Sequence, residues 1–166
     1  NRGRHPLQWT IILGFKKTKL SFFKINKGID SGNILQQIPI LITSNDSINT
    51  LNDKINKAAY QGIRKLCKKL LFNPFYNGHK QNQKVANYLR KRTPHDITLD
   101  LRMSSVAIQR TVRSFTYPYN CVNLIFENHI IKIVKVSLVS KEKKRLEQIQ
   151  RIEIGKIISI KKNIIR

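Results

Sequence analysis

Ile25-Asn26-Lys27-Gly28-Ile29-Asp30-Ser31-Gly32-Asn33-Ile34-Leu35 is the stretch on which the reading of this chain turns. It places one carboxylate between two glycines and closes on apolar residues at both ends. Residues 19–25, with Leu20, Phe22 and Phe23, read as a strand leading in. Residues 34–42 read as a second extended segment leading out, with Pro39 marking an edge or a strand end because it has no N–H for a ladder. On spacing alone, Asp30 is a turn aspartate, since Gly and Asp supply turn geometry.

Outward from this loop the chain divides into recognisable elements. Pro6 suits the first turn of a helix that runs to Leu13 and stops at Gly14. Leu51, Ile55, Ala58, Ala59, Gly62, Ile63, Leu66, Cys67 and Leu70 recur at helical spacing, with Lys54, Lys57, Lys65, Lys68 and Lys69 on the other face. Ser47 or Asp46 caps that helix, and Asn73-Pro74 ends it. Residues 73–103, with Pro74, Gly78 and Pro94, read as a connector crossing the surface. Ser104 or Ser105 starts a further helix carrying Ile108, Val112 and Phe115. Residues 121–126 and 130–139 then read as strands of a hairpin joined at Glu127-Asn128-His129. The charged run 140–150 leads to 152–165, another apolar stretch with a turn at Lys161-Lys162-Asn163.

The chain of 166 residues carries 32 Lys+Arg against 9 Asp+Glu, a net charge of +23. Phosphate neutralisation makes nucleic acid one natural partner for such a chain. The basic residues are nevertheless dispersed among abundant Ile and Asn, a composition an AT-rich genome also produces. A basic nucleic-acid-binding module without catalysis is the alternative from another functional class. The longest apolar runs, such as 38–42, fall far short of the ~20 residues of a membrane span. Cys67 and Cys121 are distant in sequence and read as packed thiols of a reduced, cytoplasmic protein. His5, His79, His95 and His129 stand apart, with no metal-ligand spacing, so no metal site is expected.

Several ordered motifs carry a resemblance. Arg2-Gly3-Arg4-His5-Pro6-Leu7-Gln8-Trp9 is similar to the Tyr-Arg-Gly-x-x-Pro-x-x-Trp-Ala of the 10-formyltetrahydrofolate-dependent formyltransferases. Gly14 to Thr18 resembles that family's Gly-Glu-x-x-x-Gly, with Thr18 or Lys19 standing where Gly-Val-Thr is usual. The stretch from Ile25 to Leu35 resembles Met-x-x-Gly-x-Asp-Thr-Gly-Asp-Ile-Leu, with Ser31 for Thr and Asn33 for the second Asp. The order and gaps agree over about the first 70 residues.

The resemblance implies an α/β fold: the C-terminal part of a doubly wound, Rossmann-like formyltransferase domain, then a small β-rich, partial-barrel appendage. The expected divisions are 1–72 for the catalytic part, 73–103 for the connector and 104–166 for a helix and β-rich region. The family moves a formyl group from 10-formyltetrahydrofolate, the formyl donor, to a primary amine through an Asn, a His and an Asp. Asp30 falls at the Asp position, with Gly28 and Gly32 letting the backbone approach the folate. The Asn and His belong to an Asn-x-His-x-x-Leu-Leu-Pro segment that in the family lies just before Arg2-Gly3. These 166 residues are therefore expected to be truncated at the front, and at the end of the barrel, and to be inactive alone.

Arg92-Thr93-Pro94-His95-Asp96 resembles the Arg-Arg-Thr-Pro-x-Asp of formyltransferases acting on nucleotide-linked amino sugars. Arg113, Pro118 and Tyr119 match a second family segment. The favoured acceptor is therefore a nucleotide-linked amino sugar, with methionyl-tRNA as the rival. Arg92 and Arg113 would hold a diphosphate or carboxylate, and Tyr119 would stack on a base; ion pairing with Asp96 or Asp100 and core packing are the competing roles. The expected partners include no membrane and leave a homodimer open.

Overall fold

The computed structural model of the protein describes residues 2–138, 152–156, 158, 160, 161, 164 and 165. Strand β1 (Arg2–Gly3) leads into helix α1 (Pro6–Ile12), with Pro6 in its first turn. Strands β2 (Lys17–Phe23) and β3 (Ile34–Leu41) form an antiparallel pair in which Lys19 faces Pro39 and Phe23 faces Ile34. The strand expected at 19–25 thus lies two residues earlier. Lys24 N–H donates to the Asn33 carbonyl at 2.9 Å, which closes the loop, and Ile25 beyond it is exposed.

Helix α2 (Ile48–Phe72) is capped by Ser47, whose hydroxyl accepts from Thr50 N–H while Thr50 returns a bond to Ser47 N–H at 3.0 Å. It packs on β3 and β2. Ile48 and Leu51, fully buried, meet Ile11 of α1 and Ile40 of β3 in the first core cluster, where Tyr119 also packs. The second cluster joins Val112 and Phe115 at the end of helix α3 to Leu99 and Val122. Helix α3, covering 105–114, starts at Ser104, whose side chain accepts from Ala107 N–H at 3.2 Å, and lies against α1.

The hairpin is shorter than its apolar sequence predicts. Strands β5 (Val122–Phe126) and β6 (His129–Ile133) pair from Val122–Ile133 to Phe126–His129. Cys121 takes a left-handed φ of 46°, turning the chain away just before Val122, so, among the described residues, 134–138 pair with no strand. The charged run 140–150 lies outside the described residues, as do 157, 159, 162 and 163 of the apolar stretch 152–165; within that stretch, Ile160–Lys161 pairs with Ile164–Ile165.

The connector is bonded to the first 35 residues at several points. A short strand at Tyr88–Leu89, β4 here, pairs parallel with β1, and Ile34 exchanges both backbone bonds with His79 at 2.9 and 3.0 Å. Of the two thiols expected to be packed, Cys121 is half-buried, but Cys67 is exposed on the outer side of α2. Among the described residues no helix is long and apolar enough to cross a membrane, and no His/Cys/Asp/Glu cluster could hold a metal ion.

Asp46, almost fully buried, organises the start of α2. Burial alone would raise its carboxyl, but Lys54 at 2.5 Å, Thr43 N–H at 2.7 Å and the Thr50 and Thr43 hydroxyls outweigh it and hold the group at about 2. A folded value below the unfolded 3.8 contributes stability above pH 3.8 and loses it as pH falls toward 2. The melting temperature of the protein should therefore hold down to about pH 4 and drop below it. An Asp46→Asn variant should start lower at neutral pH and lose less on acidification; equal acid losses in both proteins would contradict this account of the cap.

Candidate active site

The Asp30 loop is shaped by contacts from three parts of the chain. Asp30 sits at a left-handed φ of 49°, a conformation Asp tolerates better than most residues. Its Oδ2 accepts from Gly3 N–H at 3.4 Å. Gly3 is itself left-handed, and a Cβ there would lie 2.3 Å from the Leu89 carbonyl oxygen, so only glycine lets β1 approach β4 this closely. Gly32 is needed for a different contact: a Cβ would come within 1.6 Å of the Lys24 carbonyl oxygen. Gly28 is exposed, and a Cβ there would meet the Ser31 hydroxyl at 2.4 Å. The tightness at both loop glycines is thus internal packing of the loop.

Sequence reasoning missed two members of this site. Arg2 is only 7% exposed. Its guanidinium donates to Gln83 Oε1 and the Tyr88 hydroxyl, both at 2.8 Å, and to Gln81 Oε1 at 2.7 Å. Gln81 in turn donates to the backbone carbonyls of Asp30 and Gly32 at 2.9 and 2.6 Å. A Gln-Asn-Gln run in a polar connector carries no local signal of such a role.

Two residues after Gly3, His5 opens a separate cavity of about 350 Å³. Arg92, Thr93, Pro94, Ile97, Phe115, Pro118, Tyr119 and Asn120 line the rest of it. The Arg92 guanidinium lies over the Phe115 ring, 4.6 Å from its centroid, and its buried Nε has no hydrogen-bond partner among the described residues. Desolvation first, then the positive charges of Arg92, Arg4 and Lys91, pulls the His5 imidazole below its usual value. That shift favours the neutral imidazole.

The residues expected to hold an acceptor do not converge. Arg92 and Tyr119 line the cavity; Arg113 does not. Arg113 instead donates through Nη1 to the carbonyls of Thr43, Ser44 and Asp46, tying α3 to the start of α2. Arg113 thus directs Nη1 to three carbonyls away from that cavity, and among the described residues its buried Nε, like that of Arg92, has no hydrogen-bond partner. Tyr119 packs in the first core cluster, and its hydroxyl accepts from Asn52 at 3.2 Å. Asp96 pairs with Arg90 through two bonds of 2.5 and 2.6 Å, and Asp100 with Arg102, so neither acid neutralises Arg92 by direct contact.

A left-handed aspartate held against an Arg-Gly strand, in a strand–loop–strand followed by a long helix, defines a class by its fold. A family model described as formyl transferase matches residues 1–66, and one described as formyl transferase, C-terminal domain, matches 91–166. The chain belongs to the formyl transferase family. The methionyl-tRNA formyltransferase of Buchnera aphidicola subsp. Acyrthosiphon pisum (strain Tuc7) is 32% identical over 162 residues, which are 98% of this chain and 49% of that protein. The chain thus spans about half the length of that relative. Methionyl-tRNA formyltransferase from Clostridium thermocellum shares the fold with a TM-score of 0.64 at 22% identity, over 83% of this chain and 58% of that one. An N-formyltransferase from Helicobacter canadensis, in complex with folinic acid and dTDP-3-aminofucose, gives 0.66 at 20% identity, over 84% and 51%. The fold class is therefore that of a formyltransferase domain with a small β appendage.

Proposed function

We propose that the protein takes part in formyl transfer from 10-formyltetrahydrofolate to a primary amine, with Asp30 as its reacting carboxylate and methionyl-tRNA as its acceptor. The observation that carries the reading is the placement of Asp30. The loop that matches the family motif holds it left-handed beside the Arg2-Gly3 segment, which in the family directly follows the catalytic Asn and His. In the reaction the amine nitrogen bonds to the formyl carbon, the bond from that carbon to the folate nitrogen breaks, and the proton lost by the amine passes to the departing nitrogen. Asp30 orients and charges the imidazole that, with the Asn amide, stabilises the developing oxyanion. It also helps to draw the proton from the amine.

Two observations favour methionyl-tRNA. The relative that is 32% identical over 98% of the chain is a methionyl-tRNA formyltransferase. Arg113 directs Nη1 to the loop carbonyls at 43, 44 and 46 and does not line the cavity of Arg92 and Tyr119, which weakens the case for a two-arginine diphosphate clamp. The amino sugar is the second reading. It is supported by the buried Nε of Arg92, which has no hydrogen-bond partner among the described residues, in a cavity rimmed by Tyr119, and by a fold shared with an enzyme crystallised with an amino-sugar nucleotide.

A chain of net charge +23 that binds tRNA does so largely by neutralising phosphates. Its affinity for methionyl-tRNA should fall by about 10³-fold or more between 50 and 200 mM salt, as for a protein making six or more phosphate contacts. Filter binding across that range tests this, and a flat profile would count against the RNA acceptor. Steep binding with no formyl transfer would instead indicate a basic binding module.

A further inference from the structure

We infer that Gln81 is the positioning residue for the Asp30 carboxylate, acting through the backbone of its loop. The inference rests on the reading of Asp30 as the reacting group.

The direct bond from Gly3 N–H to the Asp30 carboxylate is 3.4 Å long, near the limit of a useful hydrogen bond, so it steers the side chain weakly. The backbone beneath it is held far more firmly. The Gln81 amide reaches the Asp30 and Gly32 carbonyls at 2.9 and 2.6 Å, bracketing Ser31. The same amide presents its oxygen to Arg2 at 2.7 Å. Arg2 is nearly buried and is fixed by Gln83 and Tyr88, with its guanidinium 5.5 Å from the Tyr88 ring centroid. Arg2 and Gly3 form β1. One side chain therefore ties the loop that carries Asp30 to the strand that carries its N–H donor.

The chemistry of the amide suits this position. A glutamine offers two donors to two carbonyls and one acceptor to a cation at once. Glutamate keeps the length and the acceptor but loses both donors; leucine loses all three contacts. Freed of Gln81, the left-handed turn at Asp30 has less to hold it, and misplacing a reacting group by about 1 Å can cost on the order of 100-fold in rate.

The test is kinetic and structural, on the full protein that carries this chain. Gln81→Leu and Gln81→Glu should each lower kcat for formyl transfer about 10–100-fold. The KM values for 10-formyltetrahydrofolate and the acceptor should stay within about twofold, because binding is untouched. A residue that only stabilises the fold would lower the melting temperature and leave kcat per folded molecule unchanged. Amide hydrogen exchange, followed without substrate, should quicken about tenfold across residues 28–33 and stay constant in α2. Unchanged exchange in that loop would overturn the inference whatever the activity. Asp30→Asn is assayed alongside. If it is inactive while both Gln81 variants keep full kcat, Gln81 has no positioning role. If Asp30→Asn retains full turnover, the reading of Asp30 fails, and the exchange data still report whether Gln81 holds the loop.

Discussion

Replacing Asp30 with asparagine should lower formyl transfer by about 10³-fold, within the range one acid–base group contributes, and leave the fold intact. The two parts of that expectation have separate causes. The loss follows from chemistry: an amide neither carries the negative charge that supports an imidazolium nor accepts a proton at neutral pH. The intact fold follows from conformation. Asparagine shares the tolerance of aspartate for the left-handed φ of 49°, and its amide oxygen can still accept from Gly3 N–H. The melting temperature should therefore match that of the native protein. Gly32→Ala is the informative contrast. Its Cβ would collide with the Lys24 carbonyl oxygen, so the loop must move and activity should fall through geometry with the carboxylate still present. Turnover with Asp30→Asn as fast as in the native protein would remove Asp30 from the reaction.

Phe115→Ala should destabilise the protein by about 3–5 kcal/mol, the cost of removing a large aromatic from a packed interior. Phe115 is 2% exposed and stands in the second cluster with Leu99, Val112 and Val122. Its ring also lies under Arg92, so the same change removes the aromatic face from a guanidinium whose Nε has no hydrogen-bond partner among the described residues. A urea titration reads the first effect as a lower midpoint. Phe115→Leu refills most of the volume and should recover much of the stability without restoring the aromatic face. An unfolding free energy for Phe115→Ala within about 1 kcal/mol of the native protein would mean that the residue is far less packed than its burial implies.

The two helices and the hairpin turn were legible because local signals agree there. Ser47 caps α2, Ser104 caps α3, and Glu127-Asn128 joins β5 to β6. The glycine-flanked Asp30 was legible through its motif. Most of the failures were non-local. Nothing near Ile133 says that the ladder ends there; the left-handed Cys121, on the other strand, decides it. Arg113 read as a phosphate contact or an ion-pair partner of Asp96 or Asp100, yet its Nη1 serves carbonyls about 70 positions away. Gln81 read as part of a polar surface run, though it meets Arg2 and Asp30 from 79 and 51 positions away. Burial of a polar side chain cannot be inferred from its neighbours in sequence when its partners arrive from elsewhere in the chain. Cys67 fits an apolar helical register but falls on the solvent side of α2, so helical spacing alone overstated the buried face.

The central claim is formyl transfer, and following the formyl group tests it most directly. The full protein that carries this chain would be incubated with 10-formyltetrahydrofolate bearing a labelled formyl carbon, together with methionyl-tRNA and, separately, a dTDP-linked amino sugar. The account predicts label in formyl-methionyl-tRNA, with far less on the sugar, and its loss with Asp30→Asn. Label on the sugar alone would overturn the proposed acceptor, and label on neither amine would contradict the account.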